Sequence, residues 1–126
     1  MTTDKKRILI VDDEEDIVNI LKFRLEANNY SVLSAFDGQD ALERARSERP
    51  DLIILDLMLP KLDGYKVCRA LKSDENYKDI PIIIFTARAH EENGEDGGEI
   101  KADAYVAKPF EPQELLEKIR GLLAKT

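Results

Sequence analysis

Three short runs, Ile8–Val11, Leu52–Leu55 and Ile82–Phe85, are aliphatic or aromatic at every position rather than at alternate ones. A strand that is apolar on both sides has to be covered on both sides, which is the situation of a parallel sheet packed between helices. Two weaker runs, Ser31–Ala35 and Tyr105–Ala107, bring the strand candidates to five. Stretches with helical spacing lie between them. From Glu14 to Asn28, Ile17, Ile20, Leu21 and Leu25 share one face, with Asp13 placed as the N-cap. Gly38–Glu48 repeats Ala41, Leu42 and Ala45, and Tyr65–Asp74 repeats Val67, Cys68 and Leu71. After Pro112, itself suited to a first helical turn, Leu115, Leu116, Ile119, Leu122 and Leu123 form a broad apolar stripe. Strands alternating with helices predict one α/β domain with a central parallel sheet and helices on both faces.

The same alternation calls for a helix between Ala87 and Ala102, where Gly94, Gly97 and Gly98 intervene. Three glycines cost roughly 3 kcal/mol of helix propensity relative to alanine, so a short or frayed helix is expected there. No repeat, linker or low-complexity segment interrupts the 126 residues, and the reading is a single domain over 1–126 with its core at about 5–123 and no output domain. The net charge of −7 and the pI of about 4.8 weigh against a phosphate-backbone partner, and no basic face is evident; direct nucleic-acid binding is not expected. No apolar run approaches the ~20 residues of a membrane helix, and MTTDKKR lacks the order of a secretory signal. A cytoplasmic, membrane-free protein is the expectation. Cys68, the one cysteine, has no internal disulfide partner and reads as a core residue.

Polar residues follow the strand runs at once: Asp12 and Asp13 after the first, Asp56 after Leu55, Thr86 after Phe85 and Lys108 after Ala107. Ligands of an open parallel sheet bind outside the carboxyl ends of its strands, so these distant residues are expected to converge. Three carboxylates at ~5 Å would repel one another by about 3 kcal/mol per pair at an effective dielectric of about 20. Such a cluster wants a cation, and Mg²⁺, which takes hard oxygen ligands and shares its shell with carboxylates, water and phosphate, is the natural one. Lys108 adds a positive charge and Thr86 a hydroxyl donor. Acid, Mg²⁺, lysine and hydroxyl together suit phosphoryl transfer, in which positioning and charge neutralisation do most of the catalysis. Asp56 as nucleophile would form an acyl phosphate that water later hydrolyses.

The segments ILIVDDEED, PDLIILDLMLPKLDGY, PIIIFTARA and ADAYVAKPF, in this order and spacing, resemble the response-regulator receiver domains, and the resemblance covers about Lys5 to Leu123. It implies a flavodoxin-like, doubly wound sheet with strand order 2-1-3-4-5. It further implies Asp56 as phosphoacceptor, with Asp13, Asp56 and the Met58 backbone carbonyl as Mg²⁺ ligands and Asp12 holding the metal through water. Lys108 would bind a phosphoryl oxygen. Thr86 would move to the phosphoryl group while Tyr105 swings inward behind it, shifting the face formed by the fourth helix, the fifth strand and the last helix. Met58 and Arg88 would flank the path of the attacking water, and their bulk implies a slow reset. The Lys108–Pro109 bond corresponds to the family's cis peptide. The phosphodonor would be a histidine kinase or a phosphotransfer protein, the downstream target another protein, and the chain no enzyme beyond its own phosphorylation and dephosphorylation. Phosphorylation-dependent homodimers of the family form through charge pairs; Asp103, Glu114 and Lys118 fit them, whereas Gly94 and Ala104 lack the usual charges and Lys101 replaces a usual glycine.

Each residue also has a structural reading. Asp13 alone would be a helix cap, Asp12 a loop charge, Thr86 a strand end and Lys108 a surface lysine; their joint occurrence favours a site. Glu14, Glu15 and Asp16 are read as solvated charges at a helix start with no further role, and His90 as exposed. The competing function is a phosphorylation-independent interaction module on the same fold. A flavin site is excluded because VDDEED presents carboxylates where a phosphate needs N–H donors. A phosphatase of the haloacid-dehalogenase type is excluded because Met58 stands where the second Asp belongs.

Overall fold

The computed structural model describes residues 5–59, 64–86, 102–108 and 110–124. The elements are β1 (Arg7–Val11), α1 (Glu15–Ala27), β2 (Ser31–Ala35), α2 (Gly38–Glu48), β3 (Leu52–Leu55), α3 (Gly64–Lys72), β4 (Ile82–Thr86), β5 (Ala104–Ala107) and α4 (Pro112–Ala124). The strands form one five-stranded sheet in the order β2-β1-β3-β4-β5, and every pairing is parallel. This is the flavodoxin-like doubly wound sheet, with its switch point between β1 and β3. The expected helix between β4 and β5, with Gly94, Gly97 and Gly98, lies outside the described residues, as do Arg88, His90, Lys101 and Pro109.

Successive side chains of a strand point to opposite faces, and the apolar runs divide accordingly. Ile8, Ile10, Leu52, Ile54, Ile83, Phe85 and Val106 face a core closed by Val18, Leu21 and Leu25 of α1 and by Leu115, Leu116 and Ile119 of α4. Leu9, Val11, Ile53, Leu55, Ile82 and Ile84 face a second core closed by Ala41 and Ala45 of α2 and by Val67, Cys68 and Leu71 of α3. Each fully buried aliphatic side chain contributes about 1.5–3 kcal/mol, so the two cores dominate the fold's stability. Small Ala41 and Ala45 bring α2 close to β1, and α4 adds Leu115, Leu116, Ile119 and Leu123 to the opposite core.

The strands are also fixed at the amino ends of the sheet. Arg7 donates its guanidinium to the Glu48 and Arg49 carbonyls at the end of α2 and pairs with the Glu48 carboxylate at 3.1 Å. Arg49 adopts a left-handed φ of 49° as the helix cap. Lys72, at the end of α3, donates to the Lys78 and Ile80 carbonyls and to Asp103 Oδ2, which also accepts the Ile82 N–H at 2.8 Å. Asp103, read from the sequence as a dimer charge, is thus engaged within its own chain by the end of α3 and the start of β4.

Cys68 is fully buried, and burial pushes its thiol up from 9.0 to about 11. In the unfolded chain the thiol ionises first, so the native state holds the extra proton and stability falls as pH rises from about 9 towards 11, by roughly 3 kcal/mol in the limit. Titration with a chromogenic disulfide reagent is expected to find Cys68 unreactive in native buffer and fully reactive in denaturant. Fast native reaction would show that α3 opens readily from the sheet.

Candidate functional site

Asp12 and Asp56 sit one residue past the ends of β1 and β3, and the sheet itself aims them. The Asp12 N–H continues the ladder to Ala35 O at 3.2 Å, and the Asp56 N–H donates to Val11 O at 2.9 Å. Both are buried, at 0% and 4% exposure. Asp12 Oδ1 accepts the Glu14 N–H at 2.9 Å and Asp56 Oδ1 the Met58 N–H at 3.1 Å, so each carboxylate is oriented by the loop that follows it. Asp13 is exposed, yet one oxygen from each of Asp12, Asp13 and Asp56 lies within 4.8 Å of the others.

Lys108, past the end of β5, closes the group. Its Nζ stands 2.8 Å from Asp12 Oδ2, 3.0 Å from Asp56 Oδ2 and 3.1 Å from Glu14 Oε1. The ammonium also lies 5.2 Å from the centroid of the buried Phe85 ring, which Phe110 braces edge-on at 5.3 Å. Burial drives the Asp12 carboxyl above the usual carboxylate range, against the Lys108 ammonium and the Glu14 N–H. Burial alone would lower the Lys108 pKa; the Asp12, Asp56 and Glu14 carboxylates outweigh it and raise that pKa above its ordinary value.

A magnesium ion fits these donors. Every group in the cluster is a hard oxygen, and Asp12 Oδ2 is wholly buried without a well-directed hydrogen bond despite its closeness to Nζ. Asp12, Asp13, Asp56 and Glu14 against one ammonium leave the described cluster three charges negative unless a cation or a proton enters.

Two sequence expectations change. Asp13 does not cap α1: the N-cap is Glu14, whose side chain makes no cap bond, because the chain turns at Asp12 and the Asp12 carboxylate takes the Glu14 N–H instead. Glu14, expected to be a solvated charge only, reaches Lys108. Its one sequence signal was a glutamate at a position where shorter side chains cap better. Gly64 was also missed as a site residue; it packs α3 directly on the backbone of Asp56 and Leu57 and donates its N–H to Leu57 O at 3.0 Å. Met58 is 55% exposed at the mouth of the crevice. Thr86 closes β4 opposite Ala107, and its side chain lies outside the described atoms. Tyr105 is partly buried against the core on the α2/α3 side.

The sheet order, with an acid–lysine crevice at the carboxyl ends of its strands, defines an α/β domain of the doubly wound class. More specifically, the chain belongs to the response regulator receiver domain family, whose pattern matches residues 8–120. It is 45% identical over 121 residues to the alkaline phosphatase synthesis transcriptional regulatory protein PhoP of Bacillus subtilis, covering 96% of this chain and 50% of that protein. The chain spans about half the length of the curated relatives it matches. Among solved structures, chemotaxis response regulator CheY4 of Vibrio cholerae superposes with a TM-score of 0.86 at 30% identity, covering 94% of this chain and 99% of that one. The receiver domain of sensor histidine kinase PA1611 from Pseudomonas aeruginosa, described with a magnesium ion coordinated in its active-site cleft, gives 0.88 at 31% identity, covering 96% and 99%. Among the described residues no helix is long and apolar enough to cross a membrane.

Proposed function

We propose that this receiver domain is a Mg²⁺-dependent phosphoacceptor that takes a phosphoryl group from a histidine kinase or phosphotransfer protein on Asp56, and that it works in the cytoplasm. The observation that carries the reading is the convergence of Asp12, Asp13, Asp56 and Lys108 on one crevice at the carboxyl ends of the sheet. Asp13 and Asp56, with the Met58 carbonyl, would hold the metal, and Asp12 would hold it through water. The ion supplies neutralisation of charge on the phosphoryl oxygens and on the acids around them. Asp56 is the nucleophile: a carboxylate oxygen forms the new bond to phosphorus while the bond to the donor breaks and the donor leaves with its electron pair. The Met58 N–H on Oδ1 fixes the carboxylate's orientation for that attack. Lys108 turns to a phosphoryl oxygen, a short move for a flexible side chain whose ammonium already lies 3.0 Å from Asp56 Oδ2.

Thr86 and Tyr105 carry the response outward in this reading, Thr86 to the phosphoryl group and Tyr105 into the space behind it, changing the surface around β5 and α4 that a protein target or a second copy would read. Met58, which is exposed, and Arg88 set the access of the hydrolytic water in this reading. No turnover of an external substrate is involved; the chain catalyses only its own modification and reset.

The test is intact mass after incubation with Mg²⁺ and acetyl phosphate. The wild type is expected to gain one phosphoryl group and lose it on standing, while Asp56→Asn and a chelator-treated sample gain none. Absence of any gain, repeated with beryllofluoride as a phosphoryl mimic and with a kinase, would replace this reading by the phosphorylation-independent interaction module.

A further inference from the structure

The N-cap is where Ser, Thr, Asp and Asn are favoured, because a short side chain reaches back to free helix N–H groups. Asp37 does so at α2, accepting the Asp40 N–H at 2.8 Å. Glu14 holds the same place at α1, with the same extended backbone, and makes no cap bond. Its side chain turns instead towards Lys108, 94 residues away in sequence, and sets Oε1 3.1 Å from Nζ. Helix capping therefore does not explain the glutamate; the contact with the lysine does.

The ammonium donates hydrogen bonds to Glu14 Oε1 and Asp56 Oδ2 and stands 2.8 Å from Asp12 Oδ2, so three carboxylates share its charge. A phosphoryl oxygen approaching Lys108 competes with them for the ammonium. Asp12 and Asp56 are buried and tied by the Glu14 and Met58 N–H groups. The Glu14 side chain is 62% exposed, so it is the partner that can leave into water.

We propose that Glu14 is a positioning residue that holds the Lys108 ammonium in the resting site and competes with the incoming anion for it, so that it sets the affinity for the phosphodonor rather than the rate of transfer once the donor is bound. The proposal rests on the reading of Asp56 as phosphoacceptor. Glu14 thus keeps small anions off the lysine until a donor arrives whose other contacts outweigh the displaced carboxylate.

Two substitutions separate the contact from the charge. Glu14→Gln removes the charge; Glu14→Asp keeps it on a side chain one methylene shorter, which cannot span to Nζ. Both retain the backbone N–H bond to Asp12. Glu15→Gln, on the next residue, removes an equal charge with no contact to Lys108. Initial rates of Asp56 phosphorylation would be measured against acetyl phosphate concentration at saturating Mg²⁺. The half-saturating concentration is expected to fall roughly fivefold in both Glu14 variants, as losing one exposed ion pair allows, with the maximal rate within about twofold of wild type. Glu15→Gln should match wild type. A fall in Glu14→Gln but not in Glu14→Asp, or an equal fall in Glu15→Gln, would reduce the effect to general charge and overturn the proposal. So would an unchanged half-saturating concentration, or a loss confined to the maximal rate. Failure of the wild type itself to take a phosphoryl group would remove the phosphoacceptor reading instead. The contact is then read separately from the side-chain ammonium resonance of Lys108, expected to move in both Glu14 variants; an unmoved resonance overturns it.

Discussion

Gly64→Ala is expected to cost about 3 kcal/mol of stability and to slow phosphorylation of Asp56 at least tenfold, the larger end of what overpacking and misplacement of a reacting group produce. A Cβ at Gly64 would overlap the Asp56 carbonyl oxygen and come within 2.5 Å of Leu57 Cα. These are backbone atoms, so no side-chain rotation relieves the overlap; either α3 tilts off the sheet or the loop carrying Asp56 moves. The control is Gly121→Ala in α4, where an added Cβ meets nothing within 4 Å. There alanine should stabilise by about 0.5–1 kcal/mol through helix propensity. Urea unfolding of both variants, with phosphorylation rates on the folded protein, makes the comparison. Equal midpoints for the two would mean that α3 does not rest on the Asp56 loop as described.

Lys108→Met in metal-free buffer is expected to lose about 3–4 kcal/mol, because the buried Asp12 and Asp56 carboxylates keep their burial and lose their counter-charge. Two linked effects give this loss a pH signature. The Lys108 pKa is raised in the folded state, so its stabilisation is fully present below the ordinary lysine range and disappears only in strong alkali. The Asp12 pKa is also raised, so the unfolded chain releases that proton first and stability falls as pH rises from the ordinary carboxylate value through the folded one. Without the ammonium, that fall should become steeper and extend to higher pH. The variant should therefore recover stability on acidification and on addition of Mg²⁺, more strongly than the wild type does. Thermal melts across pH, with and without the metal, decide it. A variant as stable as wild type in chelator at neutral pH would show that water already screens the acids.

The strands were readable because burial on both faces leaves a continuous apolar run: Leu52–Leu55 and Ser31–Ala35 match their predicted bounds, and Arg7 and Ala104 merely extend theirs. The convergence of Asp12, Asp56 and Lys108 was readable for a related reason, since a parallel sheet collects every carboxyl end on one edge. What the sequence did not show depends on distance in space. Whether Asp13 or Glu14 caps α1 turns on one residue of loop geometry, which Asp12 decides by taking the Glu14 N–H. The reach of Glu14 to Lys108 and the seat of Gly64 against Asp56 are contacts across the fold, invisible to any periodicity. Asp103, legible as a charge, turned out to be a strap between α3, β4 and β5.

The ammonium that neutralises the acids arrives late in the chain. Asp12, Asp13 and Asp56 lie in the first half of the sequence, whereas Lys108 follows β5, an edge strand and the last of the five to be synthesised. Synthesis runs from the amino end, so a nascent chain pairing β1, β2 and β3 carries the whole acid cluster before its own counter-charge exists. Up to that moment the acids repel one another, and closure of the 52-residue separation between Asp56 and Lys108 turns the repulsion into attraction. Completion of the sheet and completion of the site are thereby one event: a protein missing its last strand would be misassembled at its edge and charged wrongly at its centre.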